Sequence, residues 1–243
     1  MLTMTRLGGV VRAMAVAIGL GACGPALAAV TISETPNGSP APSLTMRDNL
    51  DWLALGAVGG TSPVSGIVVT LFGGAAAVTG SSDGRYAAPF LTGQNGEGFG
   101  AGGSRQRSGV DATTYLTTGS TLAQRDARAE IILPYLTLDL GLLWGSVDDH
   151  NALALFAGDT LVGTVRGGDV IAGASGNQGP QGTRYINIRS DAAFDRLVAS
   201  SAGYAFEFDN IAFGPAVAIA APAALGVFVV GVLGLAAVRL RFR

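Results

Sequence analysis

Asp148, Asp149 and His150 follow one another, with Asn151 next in line, and form the densest polar cluster of the chain. Carboxylate and amide oxygens in one short segment suit Ca2+, which takes several oxygen ligands. Two carboxylates across a cleft suit glycoside hydrolysis instead, and Asp148 with Glu207 is the pair that reading would use. The preferred alternative is a turn in which Asp and Asn side chains bond to nearby backbone. Asp209 and Asn210 form a second polar pair, read as capping a strand bulge, with Ca2+ ligation as the rival reading. Trp144 and Tyr185 both present flat apolar rings on which a sugar can stack. Trp144 shares an alternating pattern with leucines and is assigned to the core, whereas Tyr185 stays open. His150 is read as a loop histidine rather than a catalytic base. Gly98, Gly100 and Gly103 spell the dinucleotide-binding fingerprint, but with no strand before them and no helix after them they read as loop. Asn37-Gly38-Ser39 fits a glycosylation acceptor in letters alone.

Composition narrows the chemistry further. The chain has 243 residues, and its single cysteine and single histidine exclude a disulfide framework and the usual histidine-rich or multi-cysteine metal centres. All 15 basic residues are arginine, so lysine Schiff-base chemistry and a phosphate-loop lysine are excluded as well. Charged residues make up 13%, about half the share in an ordinary globular protein, which places part of the apolar content outside any core. No basic run marks the central region, and nucleic acid is not expected as a partner.

The elements that must position these residues are strands. Leu136, Leu138, Leu140, Leu142 and Trp144 alternate with smaller or polar residues, which is period two and predicts one buried face. Ala152, Ala154 and Phe156 extend the pattern, and Gly158-Asp159 reads as the turn of a hairpin into residues 160–165. Residues 67–71 and 183–188 are further strands. Phe206 and Phe208 share a face with Tyr204, while Ile211 and Phe213 carry the apolar face on at odd numbers. A β-bulge at Asp209-Asn210 explains that switch. Only residues 123–129 and 191–199 suit a helix, and the second segment suits a strand equally well. Many short strands with glycine-rich turns predict an all-β, jelly-roll-like sandwich. The expected layout is a signal peptide over 1–28, a leader over 29–49, the β-sandwich domain over 50–214 and a C-terminal segment over 215–243.

Both ends read as addressing segments. Arg6 and Arg12 precede or flank an apolar stretch over 13–20, and Ala26-Leu27-Ala28 forms a small-residue cleavage site. A second reading takes Leu20-Gly21-Ala22-Cys23 as a lipoprotein box. The uncharged run over 216–238 is interrupted by Pro222 and ends in Arg239, Arg241 and Arg243, which predicts a membrane-spanning helix with its basic end in the cytoplasm. Five arginines lie in these ends, leaving ten against 17 acidic residues, so the body between them is clearly acidic.

The proline motif at Ala221-Pro222-Ala223, the brief apolar run and the terminal arginines together resemble the PEP-CTERM sorting signal, in a proline-alanine variant that lacks the usual glutamate. The segments over 142–151, 182–187 and 205–212, together with the hairpin over 156–165, resemble one group of the same exosortase-dependent bacterial surface proteins. The resemblance covers about residues 135–243. It implies export by the Sec machinery, membrane anchoring, processing by an exosortase and display at the cell surface or in the extracellular matrix. No catalytic activity and no obligatory cofactor are expected. A carbohydrate-binding module for exopolysaccharide and a glycoside hydrolase with paired carboxylates are the alternatives.

Overall fold

The computed structural model describes residues 27–35, 38–97, 106–118 and 126–216. Most of the signal-peptide segment with Cys23, Asn37 of the acceptor motif, the Gly98–Gly103 motif and the sorting segment with Ala221, Pro222, Ala223 and the terminal arginines lie outside the described residues. Among the described residues the strands are β1 (Val30–Ser33), β2 (Met46–Asp48), β3 (Gly59–Thr61), β4 (Val68–Phe72), β5 (Ala76–Val78), β6 (Phe90–Leu91) and β7 (Gly109–Val110). They continue as β8 (Tyr115–Thr117), β9 (Arg128–Gly145), β10 (Asn151–Ala157), β11 (Thr160–Arg166), β12 (Arg184–Ser201) and β13 (Glu207–Phe213), with one helical turn, α1 (Gly167–Val170). The protein is all-β, and its strand pairings are antiparallel.

Two strands of 18 residues each, β9 and β12, organise the fold. Their first pairing, Arg184 to Arg189 against Trp144 to Asp139, lies beside β13 on one side and β1 on the other. Their second, Arg196 to Ser200 against Ile132 to Arg128, lies between β4 and the β10–β11 hairpin. Register shifts between Arg189 and Arg196 separate the two halves. Inner residues of both halves, among them Ile131, Leu197, Leu142, Ile186 and Phe208, belong to one apolar cluster, which gives the molecule its sandwich-like character.

The bend changes which side chains face inward. Ala129, Ile131 and Leu133 point to the core at odd numbers, and Leu140, Leu142 and Trp144 at even ones. The single alternating face expected from Leu136 onward is therefore corrected: Leu136 is 48% exposed. Thr137 is buried at the bend instead, where its hydroxyl donates to the Asp139 carbonyl at 2.8 Å and accepts from the Asp139 N–H at 3.1 Å. In β10 the inward residues are Leu153 and Leu155 rather than Ala152, Ala154 and Phe156; Phe156 instead lies under the Arg196 guanidinium, 4.3 Å from its ring centroid. The hairpin itself forms as expected, through Gly158-Asp159. The β13 bulge also forms, with a register shift after Asp209 and a φ of 53° at Asn210.

Two segment assignments change. Residues 30–33 and 46–48, read as leader, pair with β12 and β13 and belong to the sheet. Residues 191–199, open to helix or strand, form part of β12, where Arg196 to Ala199 lie between β10 and β9 and pair with both.

Candidate functional site

A cavity of about 450 Å³ opens where β9 ends and β13 begins. Glu207, the first residue of β13, and Ser146, just past β9, line it together with Asp148 from the turn that follows. The loop over 81–87 and the segment around Ser175–Gly176 contribute walls, and Tyr204 lines the cavity while remaining 68% exposed. Asp148 forms an isolated β-bridge to Ser175, and the Gly176 N–H donates to the Val147 carbonyl at 2.9 Å. Gly176, with φ of 69°, comes close enough to the Asp148 carboxylate that an added Cβ would lie 2.9 Å from Oδ2.

Glu207 is the electrostatic centre of this cavity. Its side chain is almost wholly buried; Oε1 accepts the Ala87 N–H at 3.0 Å, and Oε2 has no hydrogen-bond partner. Burial pushes its carboxyl up to about 8, the Ala87 N–H opposes the rise, and the charge of Asp148 adds to it. The Ser146 hydroxyl stands beside it but makes no hydrogen bond of good geometry. At neutral pH Glu207 therefore offers a proton to a ligand hydroxyl or carbonyl while a second carboxyl, Asp148, lines the same space.

The sequence-derived candidates divide sharply. Asp148 and Glu207 do share a cavity. Asp148, Asp149 and His150 place one ligand atom each within 4.8 Å of one another, but Asp149 and His150 are exposed. The turn geometry accounts for the run: Asp148 Oδ1 accepts the His150 N–H at 3.0 Å, and Asn151 Oδ1 accepts the Asp148 N–H at 3.1 Å. Asn151 is withdrawn as a ligand because its amide is consumed inside the fold. Oδ1 also accepts the Trp144 indole N–H at 3.3 Å, and Nδ2 donates to Ser201 Oγ and the Ala205 carbonyl. Trp144 is core, stacked on Phe206 at 4.1 Å between ring centroids.

Tyr185 is corrected outright as a stacking platform. It is 1% exposed, packs with Leu91 and Leu143 on the outer side of the sheet, and donates its hydroxyl to the Asn210 carbonyl at 3.0 Å. Gly141 makes this possible, since a Cβ there would lie 2.5 Å from the Tyr185 hydroxyl. The exposed ring at the cavity is Tyr204, which the strand pattern had placed on the buried face with Phe206 and Phe208; it precedes β13 and so escapes that alternation.

Gly80-Ser81-Ser82-Asp83-Gly84 has the letters of a serine nucleophile elbow. Ser82 pairs with Tyr86 in a tight turn rather than leading from a strand into a helix, and the Ser81 hydroxyl accepts the Ala88 N–H at 3.0 Å. His150 does not line the cavity. The constellation of an acyl-transfer enzyme is thus not assembled around these serines.

Asp209 lies away from this cavity. It is fully buried, and burial followed by the charges of Asp111, Asp51 and Asp48 holds it well above the usual carboxylate range. Asp48 and Asp51, Asp111 and Asp209 come from three distant stretches of chain, so no local pattern joins them.

Among the described residues no helix is long and apolar enough to cross a membrane. No family model, no curated protein and no solved structure matches this chain.

Proposed function

We propose that this is an exported bacterial surface or extracellular-matrix protein: a non-catalytic, jelly-roll-like sandwich brought out by a Sec signal peptide. A C-terminal helix holds it at the membrane until an exosortase acts on the PEP-CTERM-like segment. The observation that carries the reading is the geometry at the expected cleavage position. β1 begins at Val30, two residues past the cleavage position after Ala28, and the Ala29 backbone nitrogen lies 2.9 Å from Asp191 Oδ1. Cleavage there would turn that nitrogen into an ammonium facing a carboxylate, and would leave no slack chain before the first strand. Envelope fractionation with mass spectrometry of both ends tests it. A mature N-terminus at Ala29 and loss of residues beyond the proline motif are expected; cytoplasmic recovery with Arg243 intact would refute the proposal.

A second reading concerns what the displayed body holds. The cavity around Glu207 is rich in hydroxyls and carboxyls and carries an exposed tyrosine ring, a combination suited to a sugar. On this reading the protein is an exopolysaccharide-binding module. Glycan-array binding that is lost in Tyr204→Ala and unchanged in Tyr185→Phe supports it. Release of reducing ends, abolished in Glu207→Gln, would instead make Asp148 and Glu207 a hydrolytic pair.

A further inference from the structure

The edge of β13 changes partner in its middle. Glu207 and Phe208 pair with β8, Ile211 to Phe213 pair with β2, and the bulged Asp209-Asn210 lies between the two. Three segments meet there: the end of β2 and the turn after it, with Asp48 and Asp51, the loop between β7 and β8 with Asp111 and Thr113, and the bulge itself. The Thr113 hydroxyl is 2.6 Å from Asp111 Oδ1 and 3.4 Å from Asp209 Oδ2, so the two carboxylates flank one oxygen.

These aspartates are not equivalent. Asp48 is fully used, accepting the Leu50 N–H and the Trp52 indole N–H on Oδ1 and the Ser65 hydroxyl on Oδ2. Asp51 accepts the Thr114 N–H on Oδ1 and the Asn49 amide on Oδ2. Asp111 and Asp209 each keep one free oxygen, Oδ2 and Oδ1 respectively, although the residues are only 1% and 0% exposed. A buried carboxylate oxygen without a donor is costly unless something positive meets it.

The geometry points to a buried Ca2+ site whose protein core is Asp111 and Asp209, with the Thr113 hydroxyl beside them. All the donors are oxygen, which selects a hard cation over zinc or copper. Two carboxylates balance one divalent charge. Mg2+ demands near-ideal octahedral geometry, whereas Ca2+ tolerates an irregular oxygen set that backbone carbonyls or water complete. The cation ties the β7–β8 loop to the β13 bulge, at the point where the sheet edge passes from β8 to β2.

The test is thermal unfolding of the full chain in EDTA, followed by titration with CaCl2 or MgCl2, with Tb3+ luminescence as a direct probe. At a hundredfold excess over its Kd, Ca2+ raises the midpoint on the order of 5–10 °C, and Mg2+ raises it far less. Trp52, bonded to Asp48, sensitises bound Tb3+. Asp111→Asn keeps an oxygen that accepts the Thr113 N–H; it removes both the Ca2+-dependent rise and the Tb3+ signal, whereas Asp149→Asn, in the exposed turn, removes neither. A midpoint indifferent to Ca2+ in the wild-type chain would overturn the site and make Asp111 and Asp209 a pair sharing a proton. A Tb3+ signal lost in Asp149→Asn and kept in Asp111→Asn would overturn it in favour of the Asp148 turn.

Discussion

Glu207 carries a pH dependence whose sign follows from its surroundings. An ordinary glutamate titrates near 4.5, and here burial lifts the folded value to about 8, so the folded chain holds more protons across that interval. Its contribution to stability is complete below pH 4.5 and is lost as pH rises through about 8. Unfolding free energies from urea titrations in EDTA from pH 4.5 to 9 should fall, with this group's share up to about 4 kcal/mol. Glu207→Gln should reduce that slope and leave the mutant more stable than the wild type at pH 9. A slope remains, because Asp209 is shifted in the same direction. Asn151→Ala belongs to the same scale. It strands the Trp144 indole N–H and the Asp148 N–H in a dry environment, and should cost on the order of 3 kcal/mol in denaturant unfolding. Tyr185→Phe strands only the Asn210 carbonyl and should cost about 1 kcal/mol. None of these roles is visible from residue type alone: Asn151 and Tyr185 were plausible ligands in the sequence, and the fold uses both internally.

At the scale of elements, the long strands explain most of the differences between pattern and structure. Period-two alternation identifies β9 correctly as a strand, yet it assumes one continuous pleat. A strand that serves both halves of a sandwich must bend, and each bulge shifts the inward parity by one residue. That shift places Leu136 outside and Thr137 inside. The bulge in β13 was legible because its aromatic residues are large on both sides of the parity switch. The bend in β9 was not, because leucines run through it on every register. Thr137→Val keeps the shape but removes the hydroxyl that serves both the Asp139 N–H and carbonyl, and should cost about 1–2 kcal/mol. Gly167→Ala acts on the turn beside the cavity. A Cβ there would lie 1.9 Å from the Asp148 carbonyl oxygen, so either α1 or the Asp148 turn must move. Loss of more than about 2 kcal/mol, measured together with weakened sugar binding, is the expected result.

At the scale of the molecule, β9 and β12 make the two halves inseparable, since neither half has an edge that closes without them. Unfolding should be one cooperative transition, with calorimetric and van't Hoff enthalpies equal; two resolved transitions would contradict the single core cluster. The scarcity of histidine and cysteine, the absence of lysine and the all-β class were legible in the sequence alone, because composition and periodicity act locally and survive any choice of topology. Tertiary structure alone decided which polar residues meet. Asp148 and Glu207 are 59 positions apart, and Asp48, Asp111 and Asp209 are spread over most of the chain. Their convergence depends on strand order and register, and these are set by long-range burial that no window of sequence contains.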